Sequence, residues 1–137
     1  MKEELINAVI NNDIEEISKV IAKHDMAEIN FQDQNGFTAL HYAIQDNKYE
    51  IVKKLLDCGA DFEIPDKYGN TAIIRAVASF RGDGRIIELL LSKGADFNKK
   101  NNYGISAIDH ARNVANYNII QFFNKKKSIP TNTDLKD

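Results

Sequence analysis

A chain of 137 residues with 43% hydrophobic and 28% charged content suits one folded domain and argues against wholesale disorder. A formal charge of −2 and a pI near 5.9 supply no broad basic field for phosphates, so nucleic acid is not the expected partner. No apolar run approaches the ~20 residues of a membrane helix. Met1–Ile10 carries Glu3 and Glu4 where a signal peptide would be positive, and the one cysteine, Cys58, has no partner for an internal disulfide. A cytoplasmic address without membrane association is the expectation.

In chain order, Ala8, Val9, Ile14, Ile17, Val20 and Ile21 first mark two short helices by their spacing. The same apolar positions return 35 residues later as Ala43, Ile44, Tyr49, Val52, Leu55 and Leu56, split by the polar turn Asp46-Asn47-Lys48. This second helix pair has an opening that the first lacks, Gly36 followed two residues on by the hexad Thr38-Ala39-Leu40-His41-Tyr42-Ala43. The hexad recurs as Thr71-Ala72-Ile73-Ile74-Arg75-Ala76 after Gly69 and as Ser106-Ala107-Ile108-Asp109-His110-Ala111 after Gly104, so the glycines are spaced by 33 and 35 residues. The extra pair of residues falls at Ser79-Phe80-Arg81-Gly82-Asp83-Gly84.

Starts and stops of these helices are written locally. Thr38 reads as an N-cap, and Ser106 with Asp109 has capping-box spacing. Gly59 and Gly94 follow the second helices, where positive φ closes the last turn. The segments Asp61 to Asn70 and Asp96 to Ile105 read as extended, hairpin-like loops. Leu55 and Leu90 read as core. The tail 128–137, with Pro130 and no apolar period, reads as disordered.

The run from Asp33 to Ala43, followed by Leu55-Leu56-Asp57-Cys58-Gly59-Ala60-Asp61-Phe62, resembles the ankyrin repeat. Its motif opens Asp-x-x-Gly-x-Thr-Pro-Leu-His-x-Ala and closes Leu-Leu-x-x-Gly-Ala-Asp. Ala39, Ala72 and Ala107 stand where the motif has proline, a substitution a helix start accepts. The motif histidine is kept only as His41; Ile74 and Asp109 replace it. The resemblance implies an all-α ankyrin-repeat solenoid of four helix-turn-helix units joined by hairpin-like loops. The units would span about residues 1–32, 33–65, 66–100 and 101–127 as a single domain, 1–127. The outer two act as caps, the first with its entrance removed.

Candidate chemistry is sparse. His24, His41, His110 and Cys58 lack the paired spacing of a zinc site, and no nucleophilic set has a supporting motif. No metal, no cofactor and no catalysis are expected. Arg81-Gly82-Asp83 reads as a turn, and Gly82-Asp83-Gly84 lacks the lysine and hydroxyl of a phosphate loop. Lys125-Lys126-Lys127 reads as a helix-terminal charge run.

The resemblance implies a protein partner bound on the concave face by loop tips and first helices, with the chain a monomer. Carried over position by position, the second unit offers Gln34, Asn35, Phe37, Gln45 and Asp46; the third offers Lys67, Tyr68, Asn70, Ala78 and Ser79, with Phe80 and Arg81 from the insertion; the fourth offers Asn102, Tyr103, Ile105, Asn113 and Val114. Phe37, Tyr68, Phe80, Tyr103 and Ile105 stand out as large apolar side chains at positions the fold places in water, and Phe37, Tyr68 and Tyr103 read as one aromatic strip. For Phe80, packing against the stack is an equal alternative. Small ankyrin proteins of bacteria include immunity proteins and host-directed effectors, so an inhibitor or immunity role is the leading specific expectation, with an effector or scaffold adaptor as the alternative.

Overall fold

The computed structural model describes residues 3–113, 119 and 121–123, with only the backbone of Asn113. Val114, the lysine run 125–127 and the tail 128–137 lie outside them. Eight named helices follow in order: α1 (Glu4–Ile10), α2 (Ile14–Ala22), α3 (Met26–Ile29), α4 (Ala39–Gln45), α5 (Tyr49–Asp57), α6 (Ala72–Ala78), α7 (Arg85–Ser92) and α8 (Ala107–Asn113). Residues 121–123 are helical as well, and the described residues contain no strand.

Each helix buries the stripe its spacing marked. In α5 these are Ile51, Val52, Leu55 and Leu56, and in α7 Ile86, Ile87, Leu90 and Leu91. Such short helices are marginal alone, so their stability comes from burying that stripe against neighbours. Accordingly α1 packs on α2, α4 on α5 and α6 on α7 within units, while α1, α4, α6 and α8 pack in succession between units. Helix α5 also meets α7. One continuous core results, running from Leu5 and Val9 through Leu55 and Leu90 to Phe123.

Local chemistry accounts for the helix ends. Thr38 caps α4 by accepting from the His41 N–H, and the His41 ring accepts from the Thr38 N–H at 3.0 Å. Ser106 and Asp109 form the reciprocal pair at the start of α8, at 3.1 and 3.2 Å. Thr71 has no such partner: its hydroxyl is fully buried and unbonded, and Ile74, which stands where His41 stands one unit earlier, has no ring nitrogen to offer it. His24, at the position of Gly59 and Gly94, adopts the same left-handed backbone with φ 53°. Helix α3 is not marked by any periodicity; Asp25 creates it by accepting from the N–H groups of Ala27 and Glu28.

The loops between units are tight turns built on one side chain each. Asp33 Oδ1 accepts from Asn35 and Phe37, Asp66 Oδ1 from Tyr68 and Asn70, and Asn101 Oδ1 from Tyr103 and Ile105, all at 2.8–3.0 Å. Successive tips are then stitched together. The Lys67 N–H donates to the Asn35 carbonyl at 3.1 Å, and the Asn102 N–H to the Tyr68 carbonyl at 3.0 Å. These contacts demand glycine: a Cβ on Gly36 would lie 2.7 Å from the Lys67 nitrogen, and one on Gly69 2.6 Å from the Asn102 nitrogen.

Candidate interaction face

The stitched tips present a row in which Lys67 links two units. Its ammonium donates to Asn35 Oδ1 at 3.1 Å and stands 5.2 Å from the Tyr68 ring centroid. Asn102 Nδ2 donates back to the Lys67 carbonyl at 3.0 Å. Tyr68 and Tyr103, at equivalent positions on successive tips, are 40% and 70% exposed. Backbone bonds hold both, so two rings are offered to solvent without a loop free to collapse around them. Gln34 is exposed beside them.

Phe37 belongs to a different row. It is half-buried, stacked on His41 at 5.8 Å, edge-on to Tyr42 at 5.3 Å, and covered by the Arg75 guanidinium at 4.5 Å. Arg75 also donates to Gln45 Oε1 at 3.3 Å and to the buried Asp66 carboxylate at 3.0 Å. A cation over a ring face in a partly dry setting contributes about 1–2 kcal/mol. Asn70 and Ile105 occupy the positions equivalent to Phe37 and are half-buried; the Asn70 carbonyl faces His41 Nε2 at 3.2 Å, and its Oδ1 accepts from Asn101 Nδ2 at 2.8 Å.

Gln45 and Ala78 are the last residues of α4 and α6, and Asp46, Ser79, Phe80 and Arg81 follow them, about 10 Å along the helices from the tips. The Ser79 carbonyl accepts from Asn47 Nδ2 at 2.9 Å. Phe80 is half-buried edge-on against Phe122 of the last unit at 6.2 Å, so its ring packs within the stack, while Arg81 is exposed. Asp83, next to Arg81 and Gly82, is tied to Arg85 at 3.0 Å. Of the fourth-unit candidates, the side chain of Asn113 and the whole of Val114 fall outside the described residues.

Two side chains on this face are missing from the residues read as binding: Tyr42 and Arg75. They hold the fifth place of their hexads, which His110, read as a solvent or groove residue, holds in the last, and variation at that place between otherwise similar hexads is the signal that marks it. Tyr42 donates its hydroxyl to Asp33 Oδ2. Burial and that carboxylate push its pKa up to about 12. Burial alone would raise the Asp33 carboxyl, but the Tyr42 hydroxyl and the N–H groups of Phe37 and Asn35 outweigh it and hold it below the usual range. Burial also depresses His41, keeping a neutral ring that accepts from Thr38 at Nδ1 and donates to the Asn70 carbonyl from Nε2. At the fourth unit the Ser106 N–H and hydroxyl, with Lys100, hold Asp109 at about 2.

Before the first complete tip lies a hollow of about 410 Å³, lined by Glu3, Ile6, Asn7, Ile10, Asp33, Gln34, Asn35 and Tyr42. The Gln34 N–H, equivalent to the Lys67 and Asn102 donors, meets no acceptor among the described residues. Among the same residues no group of three or more His, Cys, Asp or Glu side chains is placed to hold a metal ion, and no helix is long and apolar enough to cross a membrane.

Paired helices stacked through glycine tips, with a capping threonine and an inter-unit histidine, define a repeat solenoid. The profile of the family described as ankyrin repeats (three copies) matches residues 5–101, and the chain belongs to that family. It is 34% identical over 64 residues to the ankyrin repeat protein FPV034 of fowlpox virus, covering 47% of this chain and 15% of that one. It is 38% identical over 73 residues to the human 2-5A-dependent ribonuclease, covering 53% of this chain and 10% of the other. It is 43% identical over 51 residues to NF-kappa-B inhibitor alpha of Sus scrofa, covering 37% and 16%. The chain thus aligns with only a small fraction of each of these proteins.

Proposed function

We propose that this protein is a non-catalytic binding module that takes a protein partner across its tips and the exposed sides of its first helices. Tyr68 and Tyr103 carry the reading: large rings, solvent-exposed and fixed on successive tips, contribute contact area with little torsional freedom left to lose. Ankyrin repeats are generally protein–protein interaction modules, which supports the same class of function. Several polar groups of these units are committed to the fold. Asp33, Asp66 and Asp109 each hold backbone donors, and His41 is bonded through both nitrogens. That leaves the face suited to recognition and poorly equipped for acid–base chemistry.

The finer reading is an inhibitor that occludes a functional surface of its partner, in the manner of an immunity protein. One relative carries the name of an inhibitor, NF-kappa-B inhibitor alpha, and a rigid face bordered by charged residues is suited to covering another protein's site.

The test is capture of the partner from native lysate, its identification, and calorimetric titration with wild type, Tyr68→Ala and Tyr103→Ala. Each substitution is expected to weaken binding by about 1–3 kcal/mol. Unchanged affinity in both variants would remove the tips from the interface. For the inhibitor role, the partner's own activity should fall on saturation with this protein; full activity in the complex would leave a scaffold.

A further inference from the structure

Asn35 precedes Gly36, and no other asparagine in the chain is followed by glycine. Glycine has no Cβ to shield its backbone nitrogen, so an Asn-Gly step is the one at which the asparagine carboxamide is most open to attack by the next residue. The equivalent tips have Tyr68 before Gly69 and Tyr103 before Gly104, which confines this chemistry to the second unit.

We propose that Asn35 is a site of intramolecular deamidation whose rate is governed by docking of the third unit's tip. In this reaction the Gly36 nitrogen attacks Asn35 Cγ. A new N–Cγ bond forms, the Cγ–Nδ2 bond breaks, and the side-chain nitrogen leaves as ammonia with the proton from Gly36. Water then opens the cyclic imide. Cleavage of the N–Cγ bond leaves aspartate, whereas cleavage at the backbone carbonyl leaves isoaspartate, with the chain running through Cγ. Nothing is oxidised or reduced.

The folded tip restrains both reacting groups. The Gly36 N–H is donated to the Asp33 carbonyl at 2.8 Å, and the Asn35 N–H to Asp33 Oδ1 at 2.9 Å. Two further restraints come from the third unit: the Lys67 N–H holds the Asn35 carbonyl, and Lys67 Nζ holds the carboxamide oxygen, both at 3.1 Å. Swinging the carboxamide over the Gly36 nitrogen requires loss of the lysine contact, so an undocked third unit exposes the site and a docked one protects it. The products diverge in effect. Aspartate places a carboxylate against Lys67 and keeps the stitch. Isoaspartate lengthens the backbone at a tip where a single Cβ on Gly36 would already lie 2.7 Å from the Lys67 nitrogen, and so unseats the third unit.

The test is incubation of the full chain in warm, mildly alkaline buffer, with and without concentrated urea. Aspartate and isoaspartate at residue 35 are counted by peptide mapping and mass spectrometry. Conversion is expected to be slower by about tenfold or more in the folded chain than in urea, with the other asparagines lagging far behind in urea. Lys67→Ala, an exposed substitution whose retained fold circular dichroism would verify, is expected to speed conversion of the folded chain by about threefold. Equal rates for folded and unfolded wild type, no conversion in urea, or a Lys67→Ala rate matching the folded wild type would each overturn the proposal.

Discussion

Thr38 and Thr71 occupy the same place in successive units, yet they differ in the one respect that sets the energetic effect of a hydroxyl. Thr38 Oγ1 accepts from the His41 N–H and lies 2.9 Å from the His41 ring nitrogen. Thr71 Oγ1 is buried with no partner, and Ile74 has no ring nitrogen to meet it. A bonded, buried hydroxyl stabilises modestly, and deleting it strands the partner; an unbonded one carries only its desolvation cost. Thr38→Val is therefore expected to destabilise by about 1–3 kcal/mol, while Thr71→Val should be neutral or stabilising by up to about 1 kcal/mol. Urea melts of the two variants check this, and equal losses would show that Thr71 has a partner the geometry does not reveal.

The tips behave as elements in their own right, and their glycines separate two effects that usually travel together. Gly69 and Gly104 both have left-handed backbones, with φ +84° and +77°, so alanine at either costs about 1–2 kcal/mol in conformation alone. Only Gly69 is also pressed by a following tip, its would-be Cβ lying 2.6 Å from the Asn102 nitrogen, whereas nothing lies within 4 Å of that position at Gly104. Gly69→Ala should therefore cost a further ~1–3 kcal/mol over Gly104→Ala. Equal melting shifts would mean that the tips do not touch in solution. The period of these glycines, the helix stripes and the caps at Thr38 and Ser106 were readable from residues alone, because each feature is restated within the chain. Helix α3 was not, since one capping aspartate and four residues carry no period. Phe37 reads as part of a tip strip with Tyr68 and Tyr103, because a ring beside a tip looks exposed; Arg75, from the next unit, covers it instead. Tyr42 and Arg75 are hidden for the opposite reason: they sit inside a hexad that reads as scaffold, although each makes contacts of its own on this face, Tyr42 with Asp33 and Arg75 with Phe37 and Gln45.

Across the whole molecule, stability follows from the contacts each unit makes with its neighbours, and among the described residues these are sparser between the first and second units than between the second and third. A solenoid is close to a sum of unit stabilities and nearest-neighbour terms. The first unit joins the second through the packing of α1 on α4, the Lys48 Nζ bond to the Val9 carbonyl at 3.0 Å, the Gln32 Nε2 bond to the Pro65 carbonyl at 2.9 Å and the Asp61 N–H bond to Asn30 Oδ1 at 2.9 Å. Between the second and third units the contacts are denser. The Lys67 stitch, His41 to the Asn70 carbonyl, Asn47 to the Ser79 carbonyl and Arg75 to Gln45 all cross that junction. Among the described residues, opening the first unit therefore breaks one junction, whereas opening α4 or α6 breaks two. Amide hydrogen exchange should show this as a gradient, with Leu5 to Ile10 and Ile17 to Ala22 exchanging about tenfold or more faster than Leu40 to Gln45 and Ile73 to Ala78 under native conditions. A bound partner seated in the hollow before Gln34 would add contacts to the first unit and flatten the gradient, whereas one bound only at Tyr68 and Tyr103 would leave it standing. Uniform protection in the free protein would show instead that the units open as one.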